Sequence, residues 1–159
     1  MAHENEVHLG KNVQLIGPVH PNIWSSEPYL ITIGDNTTIS FDVVFLTHCG
    51  ETRVFRNLAK NEQEKQTVIY KKVVVGTNCF IGCRSIIMPG VHIGNNVIVG
   101  AGSVVTRDIP DNMVCAGVPA KVICTIDEYK QKHKDEFMYC VKLPYEEKKH
   151  YLLTDHNLA

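Results

Sequence analysis

The chain has 159 residues, of which 44% are hydrophobic and 21% are charged, and its formal net charge is −1. This size and composition predict one globular domain with a substantial core. Lys and Arg are not clustered, so a phosphate-tracking surface is not expected and nucleic acid is excluded as a partner. The N-terminus lacks the order of a signal peptide, and no apolar run approaches the roughly 20 residues that span a bilayer. We therefore expect no membrane partner and a cytoplasmic location.

A repeat of six residues begins near the N-terminus and organises most of the chain. Each block opens on an apolar residue, often followed by glycine and a turn-forming Asp or Asn. Blocks open at Leu9, Ile33, Ile39, Phe45, Ile69, Val75, Ile81, Ile87, Ile93, Val99 and Val105. A helix does not tolerate glycine this often. The repeat instead predicts an all-β solenoid, a parallel β-helix in which each opening side chain points inward and stacks on its equivalent three blocks later. Glycine and asparagine are expected to turn the corners, where they adopt positive φ most easily.

Two segments interrupt the repeat. Pro21 and Glu27 stand where aliphatic residues are expected, so PNIWSSEPYL is predicted to form an irregular coil. The second interruption, residues 51–68, follows directly after FLTHCG; it is 18 residues long, carries seven charged residues and shows no strand alternation. We interpret it as an excursion loop, because a long loop that leaves a regular scaffold is often functional.

The pattern becomes helical after the closing stretch DNMVCAGVPAKVI. Thr125 and Glu128 form a capping-box signature, and the spacing of the apolar residues that follow predicts a helix of about 13 residues. A second short helix is predicted to begin near Pro144. We therefore expect a β-helix domain over residues 1–124 and a C-terminal helical part over residues 125–159 that caps the open end of the β-helix.

The hexads and the stretch VGAGSVVTRDIPDNMVCAGVPAKVI resemble the hexapeptide-repeat acyltransferases. Within them, the chain is most similar to the maltose, galactoside and capsular-polysaccharide O-acetyltransferases, and the resemblance covers roughly Ile33 to Ile123. It implies a left-handed coil and a homotrimer with active sites between subunits. It also implies acetyl-CoA as co-substrate and a sugar or polysaccharide-precursor hydroxyl as acceptor. No metal is expected.

The resemblance further implies roles for individual residues. His48 matches the catalytic histidine of the family, which follows Thr at the end of a coil and precedes an excursion loop. A neutral imidazole there can accept the proton of an attacking hydroxyl. The positions that match the coenzyme groove hold Gly82, Cys83, Ala101, Thr106, Arg107 and Lys121. The region that holds the acceptor in the family corresponds here to Trp24, Glu27 and Tyr29, although Glu27 could instead orient the His48 imidazole.

Other functions remain open at this point. The acceptor could be the amino group of a nucleotide-linked sugar, or a xenobiotic. Cys49 stands where relatives often have Asp, and its thiolate could carry the acyl group, although neighbouring strand residues point to opposite faces. A γ-type carbonic anhydrase needs three histidines around zinc, and the repeats hold only His92 besides His48. A plain β-helix scaffold would need neither the excursion nor the histidine at its base.

Overall fold

The computed structural model describes residues 6–18 and 23–155, which form short strands in three sheets together with a few short helices. The first sheet contains β1 (His8–Leu9), β3 (Ile31–Ile33), β6 (Val73–Val75) and β9 (His92–Ile93). The second sheet contains β2 (Gln14–Leu15), β4 (Thr38–Ile39), β7 (Phe80–Ile81), β10 (Ile98–Val99), β12 (Met113–Gly117) and β13 (Ala120–Thr125). The third sheet contains β5 (Val44–Phe45), β8 (Ile86–Ile87) and β11 (Val104–Val105).

From β3 to β11, successive strands visit the three sheets in rotation, and equivalent strands pair in parallel. The registers place each opening residue beside the opening residue of the third block after it. Val75 pairs with Ile93, Ile81 with Val99, and Ile87 with Val105. Three blocks of six therefore complete one three-sided coil, as the period predicts. The final pair, β12 with β13, is an antiparallel hairpin.

The core lies inside these coils and consists of the opening residues of the blocks. Those that are at most 1% exposed are Ile33, Ile39, Phe45, Val75, Ile81, Ile87, Ile93, Val99 and Val105. The prediction is wrong at two ends of the repeat, since Leu9 is 48% exposed and Ile69 is 49% exposed. Leu9 lies on β1, the edge strand of its sheet, and regular coiling resumes after the excursion only at β6.

The corners use asparagine and glycine for different reasons. Asn36, Asn78 and Asn96 have φ of 56°, 56° and 54°, the left-handed conformation that asparagine tolerates. The glycines in the second place of the blocks do not have positive φ, which corrects the prediction for them. A Cβ at Gly76 would lie 2.6 Å from the Gly94 carbonyl oxygen on the next coil. These glycines are therefore required because neighbouring coils approach each other too closely for a side chain.

The interruptions have local structure of their own. The excursion contains α1 (Thr52–Asn57) and a 3₁₀ turn at Glu64–Gln66, and it contributes no named strand. Glu27 immediately precedes a 3₁₀ turn at Pro28–Leu30. Pro21, the other residue that breaks the repeat, lies outside the described residues.

The chain divides into two compact units, with the division between Tyr129 and Lys130. The first unit contains the three sheets and α1. At its end, the Thr125 backbone N–H and hydroxyl donate to Glu128 Oε2 at 2.8 and 2.9 Å, which confirms the capping box. The helix that it opens, α2 (Ile126–Lys132), is shorter than predicted, because His133 leaves helical backbone angles at φ −102° and ψ 7°.

The second unit contains a 3₁₀ turn at Lys134–Glu136, helix α3 (Tyr145–His150) and a π-helical turn at Tyr151–Asp155. Pro144 is the N-cap of α3, as predicted. Within residues 6–18 and 23–155, no helix has the length and apolar character needed to cross a membrane. The capping role of the C-terminal part remains a prediction.

Candidate active site

His48 lies at the corner after β5, where the two ends of the excursion meet. Its backbone forms an isolated antiparallel bridge with Tyr70, and the Lys71 N–H donates to the Thr47 carbonyl at 2.8 Å. The residue that leaves the coil is thus paired with the residue that returns to it. This pairing holds His48 on ordered backbone although an excursion begins directly beyond it.

Glu27 holds the imidazole of His48. Its Oε2 lies 2.8 Å from His48 Nδ1, and the Thr47 hydroxyl donates to the same oxygen at 2.7 Å. The Thr47 hydroxyl also lies 3.0 Å from Ser25 Oγ. The Glu27 side chain is only 12% exposed, against 33% for His48. The carboxylate therefore sits behind the imidazole, on its protein side.

The charge of Glu27 fixes the tautomer of His48. Burial raises the pKa of the Glu27 carboxyl, but hydrogen bonds from Thr47, Ser26 and His48 outweigh it and leave this pKa below its ordinary value. An ionised carboxylate can only accept hydrogen bonds, so Nδ1 must carry the proton. Nε2 then carries the lone pair, and it has no hydrogen-bond partner among the described residues. The arrangement is that of a general base held by a carboxylate.

Tyr70 contacts the His48 ring. The two ring centroids are 5.5 Å apart with an interplanar angle of 64°, an edge-to-face arrangement. The Tyr70 side chain remains about half exposed, at 51%. Tyr70 therefore presents an exposed aromatic surface next to the imidazole.

The residues next to His48 and Tyr70 along their two segments line a cavity of about 260 Å³ whose lining includes neither His48 nor Tyr70. Its walls are Cys49, Glu51, Ile69, Lys71, Met88, Pro89 and Thr106. Burial and the neighbouring Glu51 carboxylate raise the pKa of the Cys49 thiol, and Lys71 offsets this only in part. Cys49 is therefore a protonated thiol at neutral pH, which argues against covalent acyl transfer through its sulfur.

The residues predicted to hold the coenzyme lie on both sides of the third sheet. Gly82, Cys83 and Ala101 share the corner before β8 and β11, where the Gly102 N–H donates to the Cys83 carbonyl at 2.8 Å. A Cβ at Gly82 would lie 2.5 Å from the Ala101 nitrogen, so Gly82 is required by coil packing and is buried.

Thr106 and Arg107 are exposed at the corner after β11, and Thr106 also lines the cavity beside Cys49. Lys121 is exposed on β13, which approaches β11. Lys121 pairs with Ala116, which stacks on Gly100, so Lys121 lies at the corner before β11, on the side of Cys83 and Ala101 and not on that of Thr106 and Arg107.

The predicted acceptor residues are placed differently from one another. Trp24 is 4% exposed and stacks on Phe45 in the core, with ring centroids 5.3 Å apart. Its indole faces are used in packing, which corrects its prediction as a sugar platform. Glu27 is engaged by His48 and Thr47. Tyr29 is 53% exposed and is available to a ligand.

Sequence reasoning missed Thr47, Ser25 and Tyr70. Thr47 is fully buried, and a buried hydroxyl needs a partner, so its position in the inward-facing pattern was the available signal. Nothing in the local pattern marks Tyr70, because its position depends on how the excursion returns. Within the described parts of the chain, no three His, Cys, Asp or Glu side chains are grouped so that they could hold a metal ion.

The fold and site define a class of protein: three-sided β-helices built from hexapeptides, with a carboxylate-held histidine before an excursion. A family model described as the hexapeptide repeat of succinyl-transferase matches residues 72–107. Protein CapG of Staphylococcus aureus is 45% identical over 148 residues, which cover 93% of this chain and 83% of CapG. This chain therefore belongs to the hexapeptide-repeat acetyltransferase family.

Two further comparisons bear on the chemistry of relatives. Galactoside O-acetyltransferase of Escherichia coli is 38% identical over 133 residues, covering 83% of this chain but only 60% of that enzyme. A solved structure described as galactoside acetyltransferase in complex with coenzyme A superposes with a TM-score of 0.51 at 28% identity. It covers 80% of this chain and 68% of that one.

Proposed function

We propose that this chain transfers an acetyl group from acetyl-CoA to a hydroxyl of a sugar or polysaccharide precursor, with His48 as general base. The observation that carries the proposal is the contact of 2.8 Å between Glu27 and His48 Nδ1, which leaves Nε2 as the basic nitrogen. The galactoside acetyltransferase similarity supports a sugar acceptor, and the coenzyme A complex of a relative supports the donor.

The reaction follows from the tautomer. Nε2 accepts the proton of the acceptor hydroxyl as its oxygen attacks the thioester carbonyl carbon. The resulting imidazolium is stabilised by the Glu27 carboxylate at Nδ1. Collapse of the tetrahedral intermediate breaks the carbon–sulfur bond, and the departing thiolate takes the proton from Nε2. Positioned acid–base catalysis of this kind contributes roughly 10²–10⁴-fold in rate, and a backbone N–H at a corner can stabilise the oxyanion.

The remaining parts of the proposal concern binding and assembly. Cys83, Ala101 and Lys121 at the corner before β11, and Thr106 and Arg107 at the corner after it, would hold the coenzyme. Arg107 and Lys121 supply cations for its phosphates. We also propose a left-handed coil, a homotrimer in which neighbouring subunits complete the site, and a cytoplasmic location.

The test is a thiol-release screen with acetyl-CoA against simple sugars and nucleotide-linked amino sugars. His48→Ala should lower kcat at least about 100-fold, because the base is lost. His92→Ala is the matched control, since His92 is an exposed histidine on β9. Full activity of His48→Ala would sink the mechanism.

The acceptor panel decides between the alternatives. A preference for amino sugars would assign N-acetylation instead. Release of no thiol with any acceptor, together with no rise in melting temperature on adding acetyl-CoA, would favour a scaffold.

A further inference from the structure

Two of the three residues that the sequence pointed to do not supply the acceptor side of the histidine. Trp24 is in the core, and the Glu27 carboxylate is engaged behind the imidazole. A base alone does not orient a sugar, because a sugar ring presents several hydroxyls of similar acidity. Some surface beside Nε2 has to select one of them.

Tyr70 is held beside the imidazole by backbone pairing. Residues opposite each other in an antiparallel pair project to the same face, which explains why the His48 and Tyr70 rings meet at 5.5 Å. The neighbouring hydrogen bond from the Lys71 N–H to the Thr47 carbonyl fixes the register. Cys49, Ile69 and Lys71 line the cavity described above, as alternation along paired segments predicts. The ring of Tyr70 is thus fixed relative to the base, yet half of its surface remains open.

We propose that the Tyr70 ring is the stacking surface for the sugar ring of the acceptor, and that it determines which hydroxyl reaches His48 Nε2. This inference rests on the proposed acetyl transfer to a sugar. One face of a pyranose consists largely of C–H groups, which pack favourably on the electron-rich face of an aromatic ring. A sugar stacked on Tyr70 lies beside the imidazole, with its hydroxyls directed along the ring edge. The acceptor class is therefore a pyranose with an uninterrupted apolar face.

The test compares Tyr70→Ala with Tyr70→Phe, using methyl β-galactoside or whichever sugar of the panel reacts fastest. Tyr70→Ala should raise the KM for the sugar about fivefold to tenfold, the factor expected from loss of one aromatic stacking contact. The KM for acetyl-CoA should stay unchanged. Tyr70→Phe keeps the ring and should retain the wild-type KM for the sugar. Acetyl groups should also spread over more hydroxyls in the Tyr70→Ala product, measured by NMR.

Several outcomes would overturn the inference. These are an unchanged KM for the sugar in Tyr70→Ala, equal damage by Tyr70→Phe, or an equal rise in both KM values. Tyr29→Ala is the comparison variant, because Tyr29 is the other exposed aromatic residue named for the acceptor. A large effect there with none at Tyr70 would move the stacking surface to Tyr29. Failure of the proposed function would give a different result: either His48→Ala would keep its activity, or wild type would acetylate no sugar of the panel.

Discussion

At the scale of single residues, the buried carboxylate of Glu27 decides which nitrogen of His48 is available. His48 is the residue that the sequence singled out, but its tautomer depends on a carboxylate 21 positions earlier. The hydroxyl groups of Thr47 and Ser26 donate to that carboxylate and keep it ionised despite its burial, and Ser25 in turn contacts the Thr47 hydroxyl. These hydrogen bonds therefore keep Glu27 ionised, and the ionised carboxylate fixes the tautomer of His48.

Replacing Glu27 by Gln should produce a stability loss that depends on pH. Because the folded-state pKa of Glu27 lies below its ordinary value of 4.5, its ionised form stabilises the folded state above pH 4.5. That contribution is lost as the pH falls through the lowered folded-state pKa. At neutral pH the loss in the free energy of unfolding should be about 1.5–3 kcal/mol, typical of hydrogen bonds to a charged group.

The measurement is the melting temperature of wild type and Glu27→Gln at fixed protein concentration from pH 8 down to pH 3. The difference should be constant above pH 4.5 and shrink below it. Glu62→Gln is the control, because the Glu62 side chain is 84% exposed. A difference in melting temperature that stays constant from pH 8 to pH 3 would contradict the role assigned to the Glu27 charge.

At the scale of elements, each coil is defined by an inward side chain and a corner where coils touch. Local pattern placed most of the opening residues correctly, with Leu9 and Ile69 as the exceptions, because in a three-sided coil every sixth residue faces the interior. The role of the second-place glycines could not be derived in the same way. Glycine is required at these positions because neighbouring coils lie so close together, and only the stacked structure shows that distance.

Gly76→Ala should therefore lower the free energy of unfolding, whereas the same substitution at Gly50 should not. A Cβ at position 76 would meet the Gly94 carbonyl oxygen at 2.6 Å and Asn95 Oδ1 at 2.7 Å, so the next coil must shift. We expect a loss of about 1–3 kcal/mol, as for overpacking elsewhere. Gly50→Ala is the matched control, because a Cβ there meets nothing within 4 Å. Equal melting temperatures for the two variants, measured at one protein concentration, would show that the coils can separate without cost.

At the scale of the whole molecule, we propose that more than one chain is needed to complete the site. His48 and the coenzyme residues lie on corners of a prism that exposes large apolar side chains, among them Phe80 at 41%, Val118 at 72% and Ile123 at 64%. A partner subunit that covered these side chains would remove their apolar surface from water, which favours association. The family resemblance implies a homotrimer, so the proposed partner is two further copies of this chain.

Light scattering after size exclusion tests the assembly directly. The expected mass is three times the chain mass of 17.9 kDa, and the trimer should persist at the concentrations used for activity. A monomer with full activity would show that one chain contains a complete site, and the placement of the coenzyme between subunits would have to be abandoned.

The sequence by itself determined the coil, most of its inward residues and the capping box, whereas the choice of His48 as the candidate base came from the family resemblance. The first three depend on a repeat of six or on neighbours a few positions apart, so steric and hydrophobic rules act on them locally. Tertiary structure alone decided that Trp24 packs on Phe45, that Glu27 holds Nδ1 and that Tyr70 returns beside the imidazole. Each of these contacts joins residues across an irregular segment, where no period relates position in sequence to position in space.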